Sequence, residues 1–240
     1  LYSDQRFTAK ERSYSEPMIT NLLDKIEKTM HEKDAGLWEF RNLAQEHCYT
    51  FLFHWAGACA AAKIGSRLNN QAIYDKAIYL RDEAIKKIEA CYLPERKAYA
   101  QAIGSKHMDA STLQLITMGY FGNDIERAND HLKALEEDLL AKDFLFYRYK
   151  HMDDFGVPET TFLICAFWYI EALACVNRLD EAIEGFETLT KYCNHLNLFS
   201  EDVDQTTGSQ WGNFPQAYSH VGLMNAAFRI GKKLDRPNFI

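Results

Sequence analysis

Apolar residues recur at helical spacing in a series of segments separated by polar, turn-rich stretches. Leu22, Leu23, Ile26 and Met30 continue from Ile19 on one face, after a start marked by Ser15 and by Pro17 in the first turn. The pattern lapses between Lys33 and Arg41. Tyr49 to Ile64 is then a long apolar stretch rich in alanine, which predicts a largely buried second helix. Ile73, Ala77, Leu80, Ala84, Ile88 and Cys91 mark a third, amphipathic helix, with Pro94 as its stop. Asp109 is placed to cap a helix running through Leu113 and Ile116 to a turn near Gly119, and a more polar helix follows from about Asp124 to Leu140. Phe162 to Val176 is apolar on most faces and predicts an inner helix. Leu179, Ala182, Ile183, Phe186, Leu189 and Cys193 line one side of a charged, outer one. A last helix passes through Val221 and Ala227.

The series amounts to about eight helices in consecutive hairpins, without the fixed sequence period of tetratricopeptide or ankyrin arrays. An all-α toroid, in which inner helices are apolar throughout and long loops gather at one mouth, therefore competes well against a solenoid. Glycine (12) and proline (5) are scarce, which suits helices, and 47% hydrophobic residues over 240 positions suffice for the core of one domain. A net charge of −7 repels phosphate backbones, and Lys and Arg form no stripe, so nucleic acid is excluded as a partner. No apolar run approaches the roughly 20 residues that span a bilayer, and no leader-like segment precedes the first helix, so a soluble chain acting away from membranes is expected. Cys48, Cys59, Cys91, Cys165, Cys175 and Cys193 show no CxxC spacing and read as reduced thiols of a cytoplasmic protein.

Three long loops share an unusual mixture of aromatics and carboxylates: Leu37-Trp38-Glu39, Tyr147-Arg148-Tyr149 with Glu159, and Phe199-Ser200-Glu201-Asp202 with Trp211. Splitting a glycosidic bond needs one carboxylic acid to protonate the leaving oxygen and one carboxylate to activate water or attack the sugar, while aromatic faces stack on sugar rings. A carboxyl beside an indole loses solvation, which favours its protonated form, so Glu39 next to Trp38 is the candidate acid. Glu201, in a polar Ser-Glu-Asp-Val-Asp stretch, is the candidate base.

These loops resemble a known family. Asp34-Ala35-Gly36-Leu37-Trp38-Glu39-Phe40-Arg41 resembles the segment of glycoside hydrolase family fifteen in which the glutamate after tryptophan is the general acid. Leu198-Phe199-Ser200-Glu201-Asp202-Val203-Asp204 resembles the segment that holds its general base. Between them, Asp109-Ala110-Ser111 is similar to the family's Asp-Ala-Ser/Asn helix start, and Tyr147-Arg148-Tyr149 with Glu159 is similar to its next inner-helix segment. Gly212-Asn213-Phe214-Pro215-Gln216-Ala217-Tyr218-Ser219-His220 is similar to a run of the bacterial branch, which includes glucoamylase-like and trehalase-like members. Glu46, Phe51 and Thr160 stand where histidine, lysine and glycine are more usual.

The resemblance implies an (α/α)6 barrel, inversion at the anomeric carbon, a small neutral α-glucosidic saccharide as substrate, and no metal or other cofactor. Inversion needs the carboxyls roughly 6.5–9.5 Å apart, with a water between them. It implies catalytic roles for Glu39 and Glu201 and substrate contacts from Trp38, Arg41, Asp109, Tyr149, Glu159 and Trp211. Asp109 also reads as a helix cap, Arg41 as an ion-pair partner, and the three aromatics as plugs beneath loops. A closed barrel of this type needs more helices than the eight or so countable here. Residues 1–240 are therefore expected to form one helical domain, the C-terminal portion of such a barrel without its N-terminal part, which would associate with that part or with a second copy. A carbohydrate-binding or regulatory module that lacks a complete catalytic site is the alternative.

Overall fold

The computed structural model describes residues 12–236, with side chains from residue 16 onward. Eight α-helices are present among the described residues: α1 (Arg12–Thr29), α2 (Cys48–Leu68), α3 (Gln71–Glu89), α4 (Gln114–Thr117), α5 (Ile125–Leu139), α6 (Leu163–Cys175), α7 (Leu179–Leu189) and α8 (Ala217–Asp235). α1 begins ahead of the Ser15 start read from sequence and carries Pro17 inside it. The single turn of α4 continues a 3-10 turn, Ala110–Leu113, capped by Asp109, whose carboxylate accepts the Ser111 N–H at 2.7 Å. Asn70 and Asp124 cap α3 and α5 in the same way, accepting from Ile73 and Arg127.

Helical periodicity did not foretell five two-residue strands. Tyr92–Leu93 (β1) and Ala98–Tyr99 (β2) pair as a hairpin after α3. Thr161–Phe162 (β3), Asp202–Val203 (β4) and Gln210–Trp211 (β5) form an antiparallel sheet with β4 in the centre. This small sheet joins the start of α6 to the loop before α8. Leu163 N–H donates to the Glu201 carbonyl at 3.0 Å, and Phe162 pairs with Asp202.

Every residue of α6 is buried, as an inner helix requires, and α7 and α8 pack against it. Gly222 makes the α6–α8 approach feasible. A Cβ there would lie 2.7 Å from Ile164 Cδ1 and 2.9 Å from Phe167 Cβ, and Gly222→Val is expected to cost about 1–3 kcal/mol in chemical denaturation. A second cluster centres on α2 and α3, with Phe51, Leu52, Leu80 and Ile88 at its heart. α2 is less covered than its composition suggests: Phe53, Gly57 and Ala60 form an exposed stripe. α8 likewise exposes Val221, Met224 and Phe228, with Phe228 at 62%. Both helices are built as inner helices, yet one face of each meets solvent here. Toroid-type helical packing is thus present as an open set of hairpins.

All six cysteines are free, and none is fully exposed. Among the described residues, no helix is long and apolar enough to cross a membrane.

Candidate active site

The first site loop, residues 34–47, is closed by paired backbone bonds between Asp34 and Gln45, at 2.9 and 3.1 Å. Within it a tight turn bonds Glu39 N–H to the Gly36 carbonyl and Phe40 N–H to the Ala35 carbonyl. Gly36 and Glu39 both adopt positive φ, and the resulting turn separates neighbouring side chains. Trp38 points into the protein, where its Nε1–H donates to Asp109 at 2.8 Å and its ring packs against Tyr149, Phe162 and Trp168. Glu39 points out and is exposed. The expected desolvation of Glu39 by its neighbouring indole is therefore not realised: the turn directs the indole into the core as a support.

The second loop holds Glu201 immediately before β4. Its Oε2 accepts from the Asn213 backbone N–H at 3.0 Å and from Asn213 Nδ2 at 2.8 Å, so one oxygen of the carboxylate is fixed from both sides. Gly212, at φ +77°, makes this possible, because a Cβ there would lie 2.7 Å from that same oxygen. The following Asp202 is largely buried, which pushes its carboxyl pKa up. The Thr160 hydroxyl, which donates to it at 2.5 Å, and the charge of Arg148 act in the opposite direction.

The third loop supplies Arg148, Tyr149 and the turn Asp153–Gly156. Tyr149 is 1% exposed, and its hydroxyl donates to Asp153, which also lies 3.6 Å from Arg148. Burial, then the bond to Asp153, raises the Tyr149 phenol well above its ordinary pKa, so it remains a donor. Asp154 accepts from the Arg41 N–H at 2.7 Å and from Asn42, which ties this loop to the one bearing Glu39.

The three loops enclose a cleft of about 500 Å³ whose walls include Trp38, Glu39, Arg148, Tyr149, Phe162, Glu201 and Tyr218. Of the residues singled out in the sequence, Glu39, Glu201, Trp38 and Tyr149 come together here. Asp109 lies behind Trp38, 2% exposed, in its capping role, and burial pushes its carboxyl pKa up. Arg41 stands at the rim with its guanidinium over the Phe155 ring, 5.1 Å from the centroid. Glu159 is exposed ahead of β3, and Trp211 is 58% exposed on the edge strand β5; neither lines the cleft. Sequence reasoning missed Asp153, Asp154, Phe155, Asn213 and Tyr218. Asn213 and Tyr218 sit inside the Gly-Asn-Phe-Pro run and could have been found there. Among the described residues, no group of three or more His, Cys, Asp or Glu is arranged to hold a metal ion.

The family model for glycosyl hydrolases family 15 matches residues 3–228. The chain belongs to this family. This family 15 chain is 33% identical over 219 residues to the trehalase of Thermoplasma acidophilum, an alignment covering 91% of the chain and 38% of that relative. It is 28% identical to the trehalase of Mycobacterium tuberculosis, covering 89% of the chain and 32% of that protein. The family 15 chain thus spans about a third of the length of these curated relatives. Among solved structures, a bacterial glucoamylase complexed with acarbose superposes with a TM-score of 0.70 at 17% identity, over 89% of the chain and 37% of that structure. A wild-type glycosidase superposes with a TM-score of 0.72 at 15% identity, over 87% of the chain and 58% of that structure. At such identities these likenesses show the fold: the helical toroid of the family, of which the described helices form an incomplete barrel.

Proposed function

We propose that this chain is the C-terminal portion of an inverting α-glucoside hydrolase, with Glu39 as general acid and Glu201 as general base. The observation that carries this reading is that two carboxylates from distant loops line one cleft. Glu39, on the outward side of its turn, protonates the glycosidic oxygen as the bond breaks. Glu201, oriented by Asn213, removes a proton from the water that attacks the anomeric carbon from the opposite face. Trp38 and Tyr149 support the cleft wall from beneath, and Arg148 offers a cationic donor to the sugar hydroxyls.

The trehalase relatives favour a disaccharide, trehalose, over a longer glucan. The chain's brevity relative to those relatives, and the exposed apolar faces of α2 and α8, favour completion of the cleft by the N-terminal part of the same enzyme rather than by a second copy. Six free cysteines suit a reducing compartment, and we place the protein in the cytoplasm.

Calorimetric titration with trehalose and maltose, paired with NMR detection of the released anomers, tests the reading. Inversion at one carbon of trehalose releases one α- and one β-glucose, and inversion on maltose releases β-glucose from the non-reducing end. Release of α-glucose alone contradicts the mechanism. Binding without release instead identifies a carbohydrate-binding module.

A further inference from the structure

The loop that carries Glu39 rests on an ionisable pair, a buried His47 and a half-buried Asp34, that the acid–base chemistry does not use. His47 occupies the N-cap position of α2, yet its side chain makes no capping bond there. The ring instead turns back beneath the loop, where Nδ1 lies 3.0 Å from Asp34 Oδ1, with His47 only 3% exposed. The same carboxylate oxygen accepts the Gly36 N–H at 2.6 Å. The imidazole thus holds the residue that starts the turn, while its ring faces pack against both ends of the turn. On one side a Cβ at Gly36 would come within 2.9 Å of Nε2, so only glycine lets the loop settle this closely. On the other, the Phe40 ring stacks at 5.9 Å and 17°.

Two features separate this arrangement from ordinary loop packing. His47 Nε2 is buried without a hydrogen-bond partner among the described protein groups, a costly state that a purely structural anchor would avoid with an apolar side chain. Burial alone would raise the Asp34 pKa, but the bonds from His47 and Gly36 outweigh it and hold the carboxyl below its usual range. The pair is also continuous with the cleft wall, because Phe40 packs on Tyr149 at 5.3 Å.

We propose that Asp34 and His47 form a clamp that sets the position of the Glu39 carboxylate over the cleft, with His47 as a positioning residue. The proposal rests on the reading of Glu39 as the general acid. The clamp acts through the backbone: Asp34 fixes Gly36, Gly36 accepts the Glu39 N–H, and Phe40, stacked on the imidazole, fixes the other side of Glu39. A small displacement suffices to matter, since about 1 Å of misplacement of a catalytic group can cost on the order of 10²-fold in rate.

The test compares His47→Leu, which fills the space without a donor, with His47→Asn, whose side-chain amide can donate from the position of Nδ1. In the chain itself, amide NMR of His47→Leu should show shifted resonances and roughly 10-fold faster hydrogen exchange at Glu39 and Phe40. The resonances of Glu201 and Asn213 should stay in place, and His47→Asn should restore the wild-type pattern. Wild-type exchange at Glu39 and Phe40 in His47→Leu overturns the clamp, as does a loss that His47→Asn fails to repair. In the active enzyme, His47→Leu should lower kcat about 10²-fold with KM changed less than about threefold. Glu39→Gln, assayed alongside, separates the two ideas. Full activity in Glu39→Gln overturns the acid assignment, while a silent His47→Leu beside an inactive Glu39→Gln overturns the clamp alone.

Discussion

In the completed enzyme, and on the roles proposed for them, replacing Glu39 or Glu201 with Gln is expected to lower the rate of glucose release from trehalose by about 10²–10⁴-fold for each variant, the range for removing one general acid or base. The melting temperature should hardly move, because Glu39 is exposed and Glu201 sits at the cleft wall, where a glutamine can still accept from Asn213. The two variants differ in a diagnostic way. An aryl α-glucoside with a good leaving group needs no proton from Glu39, so Glu39→Gln should recover much of its rate on that substrate. Glu201→Gln should stay slow, because activation of water is still required. Equal behaviour on both substrates would contradict the division of roles, and the double variant should lose much less than the sum of the two single losses.

The second large effect is on stability and turns on His131, which is fully buried in α5. Its Nδ1 accepts the Tyr99 backbone N–H at 3.3 Å and its Nε2 donates to the Thr112 carbonyl at 3.1 Å. That pattern accommodates only the neutral ring, since a proton on Nδ1 would face another donor. Burial, with the nearby Arg127 charge, lowers its pKa to about 4. The unfolded chain binds this proton near the ordinary histidine value of about 6.5, so stability is complete above that pH and is lost progressively as pH falls from there towards about 4. The loss from this one residue is about 3 kcal/mol. Urea denaturation of wild type and His131→Asn at pH 7 and pH 5 measures it: the wild type should weaken markedly more over that interval than the variant. Parallel losses would place the acid sensitivity elsewhere.

Long periodic segments made the helices legible in the sequence. α3, α5 and α6 lie within a residue or two of where their apolar spacing placed them, because one face, or every face in α6, is buried, whereas α7 stops at Leu189 and gives way to a 3-10 turn at Thr190–Tyr192 before the Cys193 read from sequence. The strands were not legible, since two residues carry no period and β3, β4 and β5 exist only through pairing between distant loops. Apolarity also overstated burial on α2 and α8, where Phe53, Met224 and Phe228 look like core residues in sequence but face solvent. At the site, the Trp38-Glu39 and Ser200-Glu201 segments announced themselves by composition and by family resemblance. The opposite directions of Trp38 and Glu39 did not, because they follow from a positive φ at a non-glycine residue that only the surrounding loop bonds enforce. Asn213 and the Asp153–Asp154 pair gain significance only once three loops meet.

The two halves of the cleft are anchored unequally. Glu201 follows directly from a backbone bond to the first residue of α6, the most deeply enclosed element of the protein, whereas Glu39 hangs on a turn secured by a handful of local bonds. Gentle warming should therefore loosen one wall while the other stays native, so the proposed proton donation by Glu39 would fail well before the protein melts. Efforts to harden it against heat gain most from stiffening residues 34–47, and little from further work around α6, every residue of which is already buried.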